Sequence, residues 1–82
     1  MRLEPLRYLR DVPEYHSLSA LSQKYYVSVQ TISAAIKSLE KSLNLVLLER
    51  DYSGVRLTPA GEEIIKAAQP LLDYADQLHE SS

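Results

Sequence analysis

Residues 28–43 read SVQTISAAIKSLEKSL, and this stretch decides the fold. Ser28 has the side chain of a helix N-cap, because its hydroxyl can accept a hydrogen bond from a free backbone N–H of the first turn. Apolar residues then follow at spacings of four, three and four, at Ile32, Ile36, Leu39 and Leu43. This is the spacing of one α-helical stripe, so we predict an amphipathic helix whose stripe faces a core.

The opposite face of this helix carries hydrogen-bonding groups and positive charge but no carboxylate. It contains Gln30, Ser33, Ala34, Lys37 and Lys41, with Glu40 off to one side. Such a face suits a polar and anionic partner. An ordinary amphipathic surface helix would look the same, so the neighbouring segments must decide between the two interpretations.

The segment before it predicts a helix-turn-helix. Ser17 is a second N-cap candidate, and Leu18, Leu21 and Tyr25 then share one face of a helix over roughly 18–25. Residues 26–27 form the bend. Two helices joined by a turn of about three residues make a helix-turn-helix, with the second helix as the reader.

The N-terminal segment predicts a first amphipathic helix. Apolar residues recur every three positions at Leu3, Leu6, Leu9 and Val12, with arginines between them. Pro13 disfavours helical angles at the residue before it. We therefore expect this helix to end or kink near Val12, and residues 13–16 to form a connector.

The segment after the reader helix predicts a wing. Asn44 can adopt the left-handed conformation that ends a helix. An apolar β-type run over 45–50, turn residues at 51–54 and alternating residues at 55–57 predict a small hairpin. We expect two strands of about three residues each, in a wing spanning about 45–57.

The C-terminal segment predicts a long helix over roughly 59–80. Thr58 is its cap and Pro59 its first residue. A heptad-like seam follows at Ile64, Ala68, Leu71, Ala75 and Leu78, widened by Ile65 and Leu72. Pro70 removes a backbone donor, so we expect a kink or a break there, and fraying at residues 80–82. The predicted division is a winged helix-turn-helix over 1–58 and a linker and dimerisation helix over 59–82.

Composition excludes several other classes of protein. The 82 residues make one small domain, and 45% hydrophobic content is enough for one core. With no cysteine there is no disulfide framework or thiolate metal site. No stretch approaches the length of a transmembrane helix, and the N-terminus has no hydrophobic signal region.

Charge is distributed unevenly along the chain, although the net charge is only −2. Residues 1–57 contain eight Lys/Arg and six Asp/Glu, a net of +2. Residues 58–82 contain one Lys and five Asp/Glu, a net of −4. The first part can therefore face phosphates while the acidic tail points elsewhere.

The sequence offers no catalytic or cofactor motif. His16 and His79 lack the spacing of metal ligands, and Glu62 and Glu63 are helix neighbours, not a facing carboxylate pair. The chain has only two glycines and thus no glycine-rich phosphate loop. We expect no enzyme activity, no metal and no cofactor.

Five short motifs resemble those of LysR-type transcriptional regulators. Residues 17–21 (SLSAL) resemble the family's "SFTxAA", and 26–28 (YVS) resemble "HVS". Residues 32–40 (ISAAIKSLE) resemble "LSxxIxxLE", 47–50 (LLER) resemble "LFxR", and 55–61 (VRLTPAG) resemble "VxLTxAG". All five fall in register without gaps within about residues 3–72. Each is weak alone, but five in order are strong.

The resemblance implies a mainly α winged helix-turn-helix with an appended long helix. It also implies sequence-specific double-stranded DNA binding as the DNA-binding domain of a LysR-type transcriptional regulator in the bacterial cytoplasm, on the nucleoid. The long helix is the family's dimer contact, so the resemblance implies a homodimer on a near-palindromic operator. The effector-binding domain of the family follows this helix, and no effector-binding part lies within these residues.

The chain departs from the family pattern at several positions. The family usually has glycine at His16 and Asn44, phenylalanine at Leu48, and glutamine and proline at Val29 and Gln30. Ala34 replaces a frequent arginine and cannot hydrogen-bond to a base edge. Together with the low net charge, Ala34 slightly favours an alternative, a winged helix that docks protein rather than DNA. A winged-helix regulator of another family is disfavoured by residues 55–61.

The candidate DNA-contacting residues come from the reader helix and the wing. Gln30, Ser33 and Lys37 are candidates for base edges in the major groove, with Val29 able to touch a thymine methyl. The full set is Ser28, Val29, Gln30, Thr31, Ser33, Ala34, Lys37, Arg50, Ser53 and Arg56. Competing interpretations are capping for Ser28 and Thr31 and an ion pair with Glu49 or Asp51 for Arg50. Lys24 and Lys41 are assigned to general electrostatics. The candidate dimer contacts are Ile64, Ala68, Leu71, Leu72, Ala75 and Leu78.

Overall fold

The computed structural model describes the backbone of residues 2–81 and the side chains of residues 2–78. Of the residues expected to fray, 80 and 81 belong to the last helix, and residue 82 lies outside the described residues. Within them the order is four helices with a two-stranded hairpin before the last one. The elements are α1 Glu4–Tyr15, α2 Leu18–Tyr25, α3 Val29–Leu43, β1 Leu48–Asp51, β2 Gly54–Leu57 and α4 Pro59–Ser81. This is the predicted winged helix-turn-helix followed by a long helix.

Three helices begin where their capping residues predict. Ser17, Ser28 and Thr58 each accept the backbone N–H three residues further on, at 2.9, 3.0 and 2.9 Å. Each bond satisfies one of the backbone donors that a helix start leaves free. The predicted starts of α2, α3 and α4 are therefore confirmed.

The first helix is longer than predicted. α1 continues through Pro13 to Tyr15, so the predicted connector over 13–16 is wrong for three of its four residues. Pro13 removes only one backbone donor close to the helix end. Val12 is fully buried, and its carbonyl accepts the N–H of His16 at 2.9 Å. Burial of Val12 and this hydrogen bond at the helix end outweigh the tendency of a proline to disfavour helical angles at the residue before it.

Three helices end on a residue other than glycine in the left-handed conformation. These residues are His16, Tyr26 and Asn44, with φ of 58°, 55° and 55°. The predicted closing role of Asn44 is confirmed: its N–H donates to carbonyls of the last turn of α3. His16 and Asn44 are the two positions at which the family usually has glycine, and the backbone conformation explains that preference.

The core lies where α1, α2 and α3 meet the start of the wing. Its most buried members are Leu9, Val12, Leu21, Ile32, Ile36 and Leu47. The predicted stripe of α3 is only partly buried, because Leu39 is half-buried and Leu43 is 41% exposed. These two side chains line an apolar groove between α1, α3 and α4 that the described residues leave open.

The wing is a short antiparallel hairpin. Its register pairs Leu48 with Leu57 and Arg50 with Val55, and each strand has four residues instead of about three. Residues 45–47 of the predicted strand are not part of it. The Glu40 carboxylate accepts the backbone N–H groups of the two residues that enter the hairpin, at 2.7 and 3.3 Å. These bonds join the wing to the reader helix.

Both glycines are required by close backbone packing of the wing. A Cβ at Gly54 would lie 2.1 Å from the carbonyl oxygen of His16, and one at Gly61 would lie 2.3 Å from that of Leu47. Gly54 also has a φ of 133°. The neighbouring Val55 N–H donates to the His16 carbonyl at 2.9 Å, so the wing is held against the end of α1.

The last helix is continuous. α4 passes through Pro70 and reaches Ser81, so the predicted break is wrong, while the predicted kink stays a prediction. Leu72, two residues after the proline, is fully buried, and Asp76 pairs with Arg7 and Arg10 of α1. α4 therefore packs along the winged domain, and the boundary between residues 58 and 59 stays a prediction.

Candidate nucleic-acid interface

The polar face of α3 lies on the surface as predicted. Gln30, Thr31, Ala34 and Lys37 are exposed, while Val29 and Ser33 are half-buried at its edge. The buried Ile32 and Ile36 are on the opposite side of the helix. The core thus fixes which face of α3 meets solvent.

A hydrogen bond between two side chains also joins the wing to the polar face of α3. The Arg50 guanidinium donates from Nη2 to the Ser33 hydroxyl at 3.2 Å. The alternative for Arg50, an ion pair with Glu49 or Asp51, is not formed in the described residues. Arg50 shares a surface depression with residues of the α3 face: Val29, Gln30, Ser33, Ala34 and Lys37. The structure therefore brings the predicted base-reading residues and one wing cation together.

The N-terminus of α3 presents two hydroxyl groups. The Ser28 and Thr31 hydroxyl oxygens lie 2.9 Å apart, and both residues are exposed. Ser28 also accepts the Thr31 N–H, so the interpretation of Ser28 as the cap of α3 is confirmed. A helix N-terminus carries partial positive charge, which leaves these hydroxyls compatible with a phosphate oxygen as well.

The other predicted wing residues have carboxylate partners. Arg56 pairs with Glu49 across the two strands at 3.1 Å. Ser53 donates to Asp51 from its backbone at 2.9 Å and from its hydroxyl at 2.6 Å. These Ser53 hydrogen bonds lower the pKa of Asp51, so the wing tip keeps a negative charge. Tyr52, between them, is fully exposed.

Sequence reasoning missed a buried polar group at the α1–α2 contact. Asp11 is 7% exposed and accepts from Lys24 Nζ at 2.8 Å, from Arg10 Nε at 3.3 Å and from the Tyr25 hydroxyl. We call these four residues the Asp11 cluster. The sequence assigned Lys24 only to general electrostatics, and the structure adds an ion pair between its ammonium group and Asp11. The signal in the sequence was an aspartate beside Val12 of the buried stripe, but its partners lie 13 and 14 residues away.

The electrostatics of this cluster favour its charged form. Burial alone raises the pKa of Asp11, but hydrogen bonds from Lys24 and Tyr25 and the charge of Arg10 outweigh it, so the pKa is lowered. The hydrogen bond to Asp11 raises the pKa of Lys24. Burial, and then the hydrogen bond to Asp11, raise the pKa of Tyr25. The cluster is therefore an ionised carboxylate held by two cations and a neutral phenol at neutral pH.

The described residues contain no group of three His, Asp or Glu side chains that could hold a metal ion. Over the same part of the chain, no helix has the length and apolar character needed to cross a membrane.

The chain has a helix-turn-helix, a hairpin wing and an exposed reader face without carboxylates. These features are typical of regulatory helix-turn-helix proteins. The family model described as "Bacterial regulatory helix-turn-helix protein, lysR family" matches residues 3–62. The chain belongs to this family, which confirms the resemblance seen in its motifs.

Known proteins similar to the chain are consistent with this membership. The HTH-type transcriptional regulator EstR of Acinetobacter baylyi is 38% identical over 93% of the chain and 25% of its own length. The full-length Vibrio cholerae virulence activator AphB, of the LTTR protein family, has a TM-score of 0.85 and 40% identity, over 99% of this chain and 28% of that one. The BenM DNA-binding domain in complex with benA site 1 DNA has a TM-score of 0.83 and 33% identity, over 99% and 94%. The chain thus spans about a quarter of the length of the curated relative.

Proposed function

We propose that this chain is the DNA-binding domain of a LysR-type transcriptional regulator and binds double-stranded DNA sequence-specifically. In this proposal α3 enters the major groove, and the hairpin over about 45–57 meets the backbone or the minor groove. The observation that carries the proposal is the Arg50–Ser33 hydrogen bond, which places a wing guanidinium beside the polar reader face. In the similar BenM domain, the same fold is bound to DNA.

The residues of the reader face have distinct proposed roles. Gln30, Ser33 and Lys37 contact base edges, and Val29 contacts a thymine methyl group. Ala34 sits within this face as a small apolar surface. Ser28 and Thr31 contact a phosphate at the N-terminus of α3.

The wing residues contribute unequally. Arg50 has no carboxylate partner among the described residues, so its full charge is available to a phosphate or a base edge. Ser53 and Arg56 contact the backbone only after releasing Asp51 and Glu49. We therefore place Arg50 first among the wing contacts.

We extend the proposal to the whole regulator. The chain forms a homodimer through Ile64, Ala68, Leu71, Ala75 and Leu78 of α4, on a near-palindromic operator. Leu72 is left out of this seam, because it is fully buried within the domain. The regulator has no enzyme activity of its own, acts in the cytoplasm on the nucleoid, and takes its effector in a further domain.

The test is duplex binding as a function of salt. Duplexes selected by the wild-type chain from a random pool are compared with unselected duplexes by fluorescence anisotropy. We expect tighter binding to selected duplexes, and log K falling by about 0.9 per log unit of salt for each phosphate contacted. A chain that binds both pools equally weakly, without salt dependence, would instead be a protein-docking winged helix.

Two substitutions with matched controls separate base contacts from phosphate contacts. Gln30→Ala should cost about 1–3 kcal/mol on selected duplexes and little on unselected ones, if Gln30 makes a bidentate adenine contact. Arg50→Gln should weaken both and reduce the salt slope by about one. Gln69→Ala and Lys66→Gln, both on α4, are the controls and should change neither. If Gln30→Ala weakens both pools equally, Gln30 is not a base reader.

A further inference from the structure

The second half of α4 follows a proline, which leaves the helix without one of its backbone hydrogen bonds. Pro70 has no N–H to donate to the carbonyl of Lys66, and its ring crowds that carbonyl. A proline inside a helix usually bends or breaks it at this point. α4 nevertheless continues to Ser81, and contacts outside the helix help to hold its second half.

Leu72 and Asp76 are described residues of this second half that contact the winged domain. Leu72 is fully buried beneath the helix. Asp76, one turn further, accepts from Arg7 Nη1 and from Arg10 Nη1 of α1, the second at 3.3 Å. Both arginines are about three-quarters buried, so their guanidinium groups are firmly placed by α1.

The Asp76 contact continues into the helix-turn-helix. Arg10 also donates from Nε to Asp11 at 3.3 Å, and Asp11 accepts from Lys24 of α2 at 2.8 Å. Alternating charges therefore run from Asp76 through Arg10 and Asp11 to Lys24. They connect α4, α1 and α2, and α2 is the helix that directly precedes the reader helix.

We propose that Asp76 is a specificity-determining residue that sets the angle between α4 and the winged domain, and thereby selects the separation of the two half-sites on DNA. This rests on the proposed function, in which two copies pair through α4 and each inserts one α3 into DNA. In such a dimer the angle between the pairing helix and each domain fixes the distance between the two reader helices.

α4 is long enough for a small change in its angle to shift the reader helices by about one base pair. A helix of 23 residues is about 34 Å long at 1.5 Å per residue. A tilt of about 10° over half that length moves its end by about 3 Å, comparable with the roughly 3.4 Å rise of one base pair. Loosening the Asp76 contact would therefore blur the preferred spacing by about a base pair or more.

The experiment uses Asp76→Ala with Asp73→Ala as the matched control. Asp73 is on the same helix, but its carboxylate accepts from Gln69 within α4 at 2.8 Å and reaches no other element. Alanine forms helices better than aspartate, so neither change unwinds α4. Arg7→Gln removes the other side of the same contact and serves as a second variant.

The measurement is binding to a spacing series. Two copies of the selected half-site are separated by spacers that change in steps of one base pair, and affinities are measured alongside a single half-site. We expect the wild-type chain and Asp73→Ala to prefer one spacing by about tenfold over its neighbours. Asp76→Ala and Arg7→Gln should reduce this preference to about threefold or less, with unchanged half-site affinity and unchanged dimerisation by sedimentation.

The contrary outcomes are distinct. An unchanged spacing profile in Asp76→Ala overturns the inference, and so does an equal loss of affinity on the single half-site. A wild-type chain that binds DNA as a dimer without a preferred spacing also overturns it, while the proposed function stands. A wild-type chain that binds no duplex refutes the proposed function, and the inference falls with it.

Discussion

Arg50 and Arg56 lie on neighbouring strands of one hairpin but differ in what surrounds their charge. Arg56 is paired with Glu49, whereas Arg50 reaches across to a neutral hydroxyl on the reader helix. A guanidinium already paired with a carboxylate must give up that partner before it meets a phosphate. The two residues are of the same type, so their different neighbours in space determine how available each charge is to DNA.

The left-handed Tyr26 makes a prediction about stability. Its side chain is 94% exposed, so packing of the side chain stabilises the domain little. Its φ of 55° strains the backbone of any residue with a Cβ atom, whereas glycine adopts this angle without strain. Tyr26→Gly should stabilise the domain by about 1 kcal/mol, since left-handed residues other than glycine cost of order 1–3 kcal/mol and glycine loses some of this to chain entropy. Urea denaturation measures the change.

The control for Tyr26 is Tyr52→Gly. Tyr52 is equally exposed but is not among the residues with positive φ. Glycine there relieves no strain and should slightly destabilise the domain. If both changes shift stability in the same direction, strain at Tyr26 is not the cause.

The Asp11 cluster makes a prediction about acid stability. The pKa of Asp11 is lowered in the folded chain, as is that of Asp76 through its hydrogen bond from Arg7. A lowered carboxylate pKa gives stability that is present above the unfolded value near 3.8 and is lost as the pH falls below it. Stability should therefore be nearly constant from neutral pH to about pH 5 and decline below about pH 4.

Asp11→Asn isolates the contribution of the cluster. It should cost about 1–3 kcal/mol at neutral pH, because Lys24 and Arg10 lose a buried anionic partner. The variant should also lose less stability than the wild type between pH 5 and pH 3. Denaturation at both pH values measures this difference in the free energy of unfolding. An equal loss of stability between pH 5 and pH 3 in the variant and the wild type would contradict the prediction.

At the scale of elements, α3 has two unequal halves. Ile32 and Ile36 are in the closed core, whereas Leu39 is half-buried and Leu43 opens into the groove beside α4. The hydrophobic period alone gave these positions equal weight. The first half of the stripe is fully buried and the second half only in part, so we expect the first half to contribute more to holding α3 in place.

Alanine substitutions along the stripe test this difference. Ile36→Ala should destabilise the domain by about 2–5 kcal/mol, the range for a fully buried large residue. Leu39→Ala, at another position of the same apolar stripe, should cost less than half as much, because part of its side chain already meets water. Equal losses by thermal or urea denaturation would mean that Leu39 is covered in solution.

At the scale of the whole molecule, α4 leaves apolar surface uncovered. Leu71 and Leu78 are 45% and 56% exposed, and Leu71 continues into the groove lined by Leu39 and Leu43. Small domains rarely leave a large contiguous apolar patch in water. This surface is what the proposed dimer would bury.

Sedimentation tests the dimer. The wild-type chain should sediment as a dimer, and Leu71→Asp together with Leu78→Asp should make it monomeric, because two carboxylates from each chain would be buried at the interface. The matched control carries Val46→Asp and Tyr52→Asp, two exposed positions outside α4. A wild-type chain that stays monomeric at high concentration and binds half-sites as well as full sites would contradict the dimer.

The sequence alone determined the order of elements and the orientation of the reader helix. The caps at Ser17, Ser28 and Thr58 each bond to a backbone N–H only three residues further on. Hydrophobic periodicity is likewise a property of a single helix, so both features can be recognised from a short stretch of sequence. Turn residues and residue alternation predicted the wing, and the motifs of the family indicated the class of protein.

Only the tertiary structure decided what depends on residues distant in sequence. α1 and α4 run through Pro13 and Pro70 because Val12 and Leu72 are buried against other elements, and that burial outweighs the local cost of proline. Arg50 meets Ser33 across 17 residues, and Asp76 meets Arg10 across 66. Such pairings follow from how the helices pack, since no local preference of the chain encodes which distant charge a side chain will meet.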